Sequence, residues 1–209
     1  MLALFFEVCP RPGQMQRYLE IAAAMRPLLD AAGGCLFIDR FRSLDRDGWL
    51  LSYQIWRDEA AMTAWRVHAG HHKAQCQGRE EVFSDYRLRV AQVIHEDKPE
   101  RAPWQPPRLS AYNDAAARPP RHMLVIDAGG PVELPGGITA ERYESLYRPG
   151  KFAQVAPLES LDQGLGMRDF CRTGAALDSL RLCEIERDYG MFERAEAPQF
   201  YPPVARPVA

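Results

Sequence analysis

No apolar run in the 209-residue sequence approaches the ~18–20 residues that a membrane-spanning helix needs. Positive charge is not in excess either: 26 Lys and Arg against 28 Asp and Glu leave a formal net charge of −2. That balance excludes a general nucleic-acid binder, because no surplus cation is there to neutralise phosphates. Cysteines are few. Cys9, Cys35, Cys76, Cys171 and Cys183 form no CxxC pair and read as reduced thiols of a cytoplasmic protein. GxGxxG, Walker and GxSxG patterns are missing, so neither nucleotide-driven chemistry nor a hydrolase elbow finds support. The apolar start "MLALFF" has no basic residues ahead of it and is too short to span a bilayer, so it reads as a strand and not a leader.

Periodicity supplies the elements. Residues 2–9, "LALFFEVC", are a strand, and "RPG" turns the chain into a helix from near Gly13 with Met15, Tyr18, Leu19, Ala22 and Met25 on one face. Pro27 is expected to kink or end that helix, and Gly33-Gly34 to stop it. "CLFIDRF" (35–41) and "WLLSYQIW" (49–56) make a hairpin. Asp58 caps a helix through "EAAMTAWRVHAGHHKAQCQGREEVF", and "YRLRVAQVI" (86–94) is the closing strand. The order β-α-β-β-α-β is that of a ferredoxin-like α+β unit. Both faces of its strands are apolar: Leu2, Leu4, Phe6 and Val8 on one side of 2–9, and Ala3, Phe5 and Cys9 on the other. Trp49, Leu51, Tyr53 and Ile55 likewise share one face of 49–56, with Leu50 and Trp56 opposite. The face without helices therefore needs a second sheet to cover it.

The rest of the chain offers that sheet. Residues 98–121 hold six prolines and no apolar period, and read as a linker between a domain at 1–97 and another at 122–209. "RYESLYRPGKFAQVA" (142–156) repeats "RFRSLDRDGWLLSYQ" (40–54) at a constant offset of 102, pairing Arg40 with Arg142, Ser43 with Ser145, Arg46 with Arg148 and Gly48 with Gly150. "LRLCEIERD" (180–188) follows "LRVAQVIHE" (88–96) in the same way. The expected fold is thus a duplicated ferredoxin-like unit, its two antiparallel sheets packed as a barrel. The second copy is eroded. "GGPVELPGGI" stands in place of the first helix, and the second helix, within 158–173, carries no Trp or His.

The stretch "IWRDEAAMTAWRVHAGHHKAQCQGREEVFSDYRLRVAQV", with "RFRSLDRDGWLLSYQIW" before it, resembles the antibiotic biosynthesis monooxygenase superfamily of dimeric α+β barrels over residues 2–95. The ending "RDYGMFERAEAPQFYPPV" is similar to that of tandem members. The resemblance implies a barrel formed within one chain as a pseudo-dimer, with further homodimerisation open. It also implies oxygen insertion into aromatic compounds without a bound cofactor, or haem binding and degradation. The haem-degrading branch places an Asn where Glu7 stands here, a Trp at Trp65 and a His at Gln75, so one of three positions matches and haem degradation is not transferred.

Candidate chemistry gathers in the first half. Trp65, His68, His72 and Gln75 fall on one stripe if the helix is continuous, His71 then pointing away and Gly70 being the place where it breaks if it is not. His68 and His72 have metal-ligand spacing but no evident third ligand, so no metal is assigned. A single imidazole, His68 or His72, is the alternative haem ligand. Glu7, embedded in an apolar strand, is read as a general base or as the partner of an arginine such as Arg89. Arg79, Asp85 and Arg87 read as surface ion pairs. The working expectation is a cytoplasmic monooxygenase that uses O2 and no cofactor on a small planar phenolic or quinol-like compound. Glu7, Trp65 and His72 are its catalytic residues, and Trp65, His68, Tyr53 and Gln75 line a pocket between sheet and helix. The alternative is a non-catalytic binder of small molecules or haem.

Overall fold

The computed structural model describes residues 1–97, 121–135, 137–174, 177–198 and 201. The proline-rich segment read as a linker lies outside the described residues except for Arg121, as does the tail after Tyr201. The first half comprises β1 (Leu2–Pro10), α1 (Met15–Ala32), β2 (Cys35–Ser43), β3 (Leu50–Trp56), α2 (Glu59–Arg66), α3 (Ala69–Gln77), a π-helical turn (Gly78–Val82) and β4 (Phe83–Asp97). The second comprises β5 (His122–Ala128), β6 (Glu141–Ser145), β7 (Phe152–Leu158), α4 (Leu161–Gly174) and β8 (Leu177–Gly190).

The strands close into a single antiparallel barrel in the order β1-β3-β2-β6-β7-β5-β8-β4. Two-faced apolar strands explain this closure. One cluster takes Ala3, Phe5, Phe41, Leu51, Tyr53, Ile55, Ala91, Met123, Val125, Tyr143, Val155 and Cys183 from all of the strands and fills the barrel interior. Each large apolar side chain so buried contributes ~1.5–3 kcal/mol relative to exposure. The opposite strand faces carry the helices, with Leu2, Trp56, Met62, Trp65 and Val90 packed together in the first half.

The duplication is visible in the pairing. β2 and β6 join the halves with Phe41 opposite Ser145 and Ser43 opposite Tyr143, the same pair read twice through the offset of 102. Leu44 N donates to Arg142 O at 2.8 Å, and its counterpart Leu146 N donates to Arg40 O at 2.8 Å. The hairpin turns match as well: Arg46 N donates to Ser43 Oγ (2.9 Å) and Arg148 N to Ser145 Oγ (3.0 Å).

Two local features differ from expectation. Pro27 sits inside α1 without ending it, and the helix runs on to Ala32, where Gly33 leaves with φ 71°. The second helix is divided: α2 ends at Arg66, Val67 caps it, and His68, in an extended conformation (φ −60°, ψ 128°), starts α3. The break thus falls two residues before Gly70. In the second half the described residues of 129–138 form no helix, as expected, and Gln154 pins them: its side chain accepts from Val132 N (2.5 Å) and donates to Val132 O (2.9 Å). Among the described residues no helix is long and apolar enough to cross a membrane.

Candidate functional site

On the outer face of the first-half sheet lies a cavity of about 180 Å³. Its floor is the strand face bearing Leu4, Phe6, Ser52, Gln54, Leu88 and Val90. α1, α2, α3 and the π-helical turn roof it, and Arg194, Pro198 and Tyr201 of the tail border it. The second half reaches in through β8. Arg187 faces Val90 and Ile185 faces Ala91, so Glu186 is an extra, unpaired-in-register residue. That bulge reverses the strand's alternation, which is why Cys183 and Ile185 join the barrel interior while Arg187 and Tyr189 reach the cavity.

The break at Val67 and His68 sets which histidine meets the cavity. His71 borders it, a correction to the expectation that this side chain points away. Restarting the helix at His68 shifts the phase of everything after it. The His71 imidazole lies over the Trp65 indole (4.3 Å between centroids, 14° between planes), and its Nδ1 contacts Trp65 O at 3.0 Å. The Gln75 amide nitrogen lies farther from the same Nδ1, at 3.4 Å; a carbonyl oxygen only accepts, so the shorter contact is made with the proton on Nδ1, which leaves Nε2 as the acceptor. Burial depresses the His71 pKa to about 4, an effect the bond to Trp65 O opposes and the nearby His68 and His72 reinforce.

The other expected site residues are dispersed. Trp65 and Gln75 border the cavity, and Gln75 Oε1 accepts from Tyr201 Oη at 2.8 Å. His68 packs on Trp65 (5.5 Å) outside the lining. His72 is exposed and stacks on Tyr201 at 6.0 Å. Neither imidazole offered for haem therefore borders the cavity, and the position that carries the ligand in haem degraders holds an amide engaged by Tyr201. His68 and His72 do not converge on a metal, and among the described residues no group of three His, Cys, Asp or Glu side chains does.

Glu7 and Tyr53 face the barrel interior, away from Trp65. Glu7, 1 % exposed, accepts from Arg89 Nη2 (2.8 Å), from Tyr143 Oη (3.0 Å) and from Arg46. Burial alone would raise its pKa; Arg89, Arg46 and Tyr143 outweigh that and hold the carboxyl below its ordinary value. A carboxylate so held is a structural anion and not a proton acceptor for the cavity. Tyr53 Oη accepts from Arg181 Nη1 (2.9 Å), which also pairs with Asp127 (2.9 Å).

Several lining residues escaped sequence reasoning. Arg79 is 4 % exposed, donates to Tyr86 Oη (2.9 Å) and Met191 O (3.1 Å), and sits on the π-helical turn, not on the surface. Arg87, by contrast, does form an exposed pair with Asp188 (2.6 Å). Arg40 and Arg187 also border the cavity. The available signal was Arg40's place among the repeated positions; for Arg187 the bulge left none.

A closed pseudo-symmetric barrel of two like α+β halves, with a cavity under the helices of the first, defines the dimeric α+β barrel class. The sequence pattern described as antibiotic biosynthesis monooxygenase matches residues 1–77. The chain is 34% identical to a jasmonate monooxygenase ABM of Pyricularia oryzae, over 98% of this chain and 100% of that one. The chain belongs to the antibiotic biosynthesis monooxygenase family. Among solved structures it is similar to Rv0793 from Mycobacterium tuberculosis (21% identity, 47% of this chain and 98% of that one, TM-score 0.42). It is also similar to PA3566 from Pseudomonas aeruginosa (19% identity, 43% and 89%, TM-score 0.38).

Proposed function

We propose that the protein is a monooxygenase that combines O2, without a bound cofactor, with a small ring compound held in the outer-face cavity. His71 Nε2 is the proton acceptor. The observation that carries this reading is the imidazole bordering the cavity, stacked on Trp65 with Nδ1 at Trp65 O and Nε2 left as the acceptor. His71 thus replaces Glu7 and His72 in the role assigned from the sequence.

The substrate class is a ring whose C–H or O–H is acidified by a carbonyl or by aromaticity: the phenolic or quinol-like compounds read from the sequence, or a cyclopentanone such as jasmonate, the compound in the relative's name. His71 removes a proton from a CH2 so activated, and the carbanion's electron pair bonds to O2. The imidazolium returns the proton to the peroxide anion, and loss of water from the hydroperoxide leaves a carbonyl. CH2 and O2 become C=O and H2O, with every electron supplied by the substrate. Trp65 holds the imidazole by stacking, and the arginine-rich lining stabilises the anion.

The test is O2 consumption and 18O incorporation with jasmonate, anthrone and hydroquinone panels, comparing the native chain with His71→Phe. Loss of a general base costs typically ~10²–10⁴-fold in rate, and that loss with binding retained is the expected result. Undiminished turnover in His71→Phe removes the assignment. A Soret band on adding haemin that His71→Phe abolishes favours the binding-protein alternative.

A further inference from the structure

The cavity lining is unbalanced in charge. Arg26, Arg40, Arg66, Arg79, Arg187 and Arg194 border it, and among the described residues no Asp or Glu does, although the chain as a whole is net negative. Most of these cations are accounted for. Arg26 pairs with Asp30 (2.9 Å) and Arg187 with Glu59 (2.8 Å). Arg79 and Arg194 share Tyr86 Oη, both at 2.9 Å, and each also donates to a backbone carbonyl, Met191 O and Gly190 O, both at 3.1 Å. Arg66 ends α2, where the helix's own C-terminal dipole offsets a cation.

Arg40 is different, and the duplication shows how. Its counterpart in the second half, Arg142, is neutralised by Asp45, whose carboxylate accepts from Arg142 Nε (3.1 Å) and from Arg142 N (2.7 Å). The offset of 102 that relates Arg40 to Arg142 relates Asp45 to Tyr147, and Tyr147 is the residue that interacts with Arg40. The acid of one half is thus a phenol in the other. Tyr18 is the second group interacting with Arg40, and it too is a phenol. Asp39, next in sequence, accepts Arg40's backbone N–H but gives its carboxylate to Arg148 and Ser145. Arg40 Nε is wholly buried and has no hydrogen-bond partner. A guanidinium lodged in an apolar wall without a counterion is a binding site for an anion, and its planar fork matches a carboxylate.

Resting on the cavity assignment made above, we propose that the compound bound there is a carboxylic acid and that Arg40 anchors its carboxylate. Tyr18, which lines the cavity beside Arg40, completes the anchor with a phenolic proton to donate, while Tyr147 interacts with the guanidinium from outside the lining. The acid group is held at the floor, and the ring extends under the helices toward Trp65 and His71.

The probes are jasmonate and methyl jasmonate, which share a ring and differ in whether the carboxylate is masked. Calorimetric titration of the full chain is expected to show the acid binding at least ~10-fold more tightly than the ester, the scale of a charge-assisted contact. Arg40→Gln is expected to remove that preference by weakening the acid alone. Tyr147→Asp, a substitution at a side chain 55 % exposed, copies the second half's pairing, and it is expected to do the same with Arg40 still in place. Equal binding of acid and ester by the native chain, failure of both to bind, or a preference that survives both substitutions overturns the anchor. A preference lost in both variants with no oxygenated product from any compound sustains the anchor and overturns the oxygenase reading instead.

Discussion

The two halves of this barrel share a scaffold and differ in what they do with its outer face. In the first half, α1 and the divided α2–α3 stand over Ser52 and Gln54 and leave a cavity. In the second, Gln154 and Ala156 occupy the equivalent positions. Gln154 pins the loop that replaces α1, and Ala156 packs with Leu124, Ile126, Met167, Leu180 and Leu182 in a continuous core. α4 lies so close that a Cβ on Gly164 would come within 2.5 Å of Leu182 Cδ1. Roof helices held off by large side chains make a chamber; one seated on a glycine makes a plug.

The comparison breaks most sharply in the barrel interior. Glu7–Arg89 and Asp127–Arg181 are equivalent pairs at 2.8 and 2.9 Å. Arg181 also has Glu96 at 2.8 Å, whereas Arg89 has Glu7 as its carboxylate. Glu7→Gln is therefore expected to cost ~3–5 kcal/mol, as removal of one partner of a buried pair does, and Asp127→Asn clearly less. Urea unfolding of the two variants side by side checks this, and equal costs would show that the extra carboxylate compensates nothing.

Next in size is a pH effect lodged in the first half. The folded-state pKa of His71, about 4, lies below its ordinary 6.5, so the unfolded chain binds the proton more readily. Stability from this group is complete above pH 6.5, declines as pH falls from there, and is fully lost near pH 4, by ~3 kcal/mol. His71→Gln is expected to flatten that slope in unfolding titrations. What remains includes His122 of β5, which burial also lowers. An unchanged slope would place the imidazole in water.

The smallest effect tests chamber against plug directly. Gly164→Ala is expected to destabilise by ~1–3 kcal/mol through overpacking and to leave ligand binding alone. Ala74→Phe, which adds volume at the cavity wall, is expected to change stability by less than ~1 kcal/mol while abolishing binding. Thermal unfolding together with jasmonate titration separates the two.

How much of this was legible in the sequence depended on which interaction set it. Strand alternation is local, so the two-faced apolar strands declared the barrel, and the offset of 102 declared the pairing of Leu44 with Arg142 and Leu146 with Arg40. Alternation also groups Glu7 with Ala3 and Phe5, and Tyr53 with Leu51 and Ile55, which assigns both to the interior and not to a pocket under the helices. The histidine phase was not legible. It depends on a chain break at Val67, an apolar residue left 66 % exposed, and nothing in "WRVHAGHH" marks the break except glycine two residues late. Arg187 was hidden for a different reason, since a bulge that reverses alternation is made by the partner strand's register.

Closure of the barrel from two copies on one chain carries a last consequence. In an assembly of two identical subunits, each amino-acid change is imposed on both, so a substitution useful beside one cavity must be tolerated beside the other. Here the copies are encoded separately, and aspartate at 45 can coexist with tyrosine at 147. Two copies on one chain are thus free of the symmetry that binds identical subunits: one holds a cavity under its helices, and the other fills the same place with core side chains.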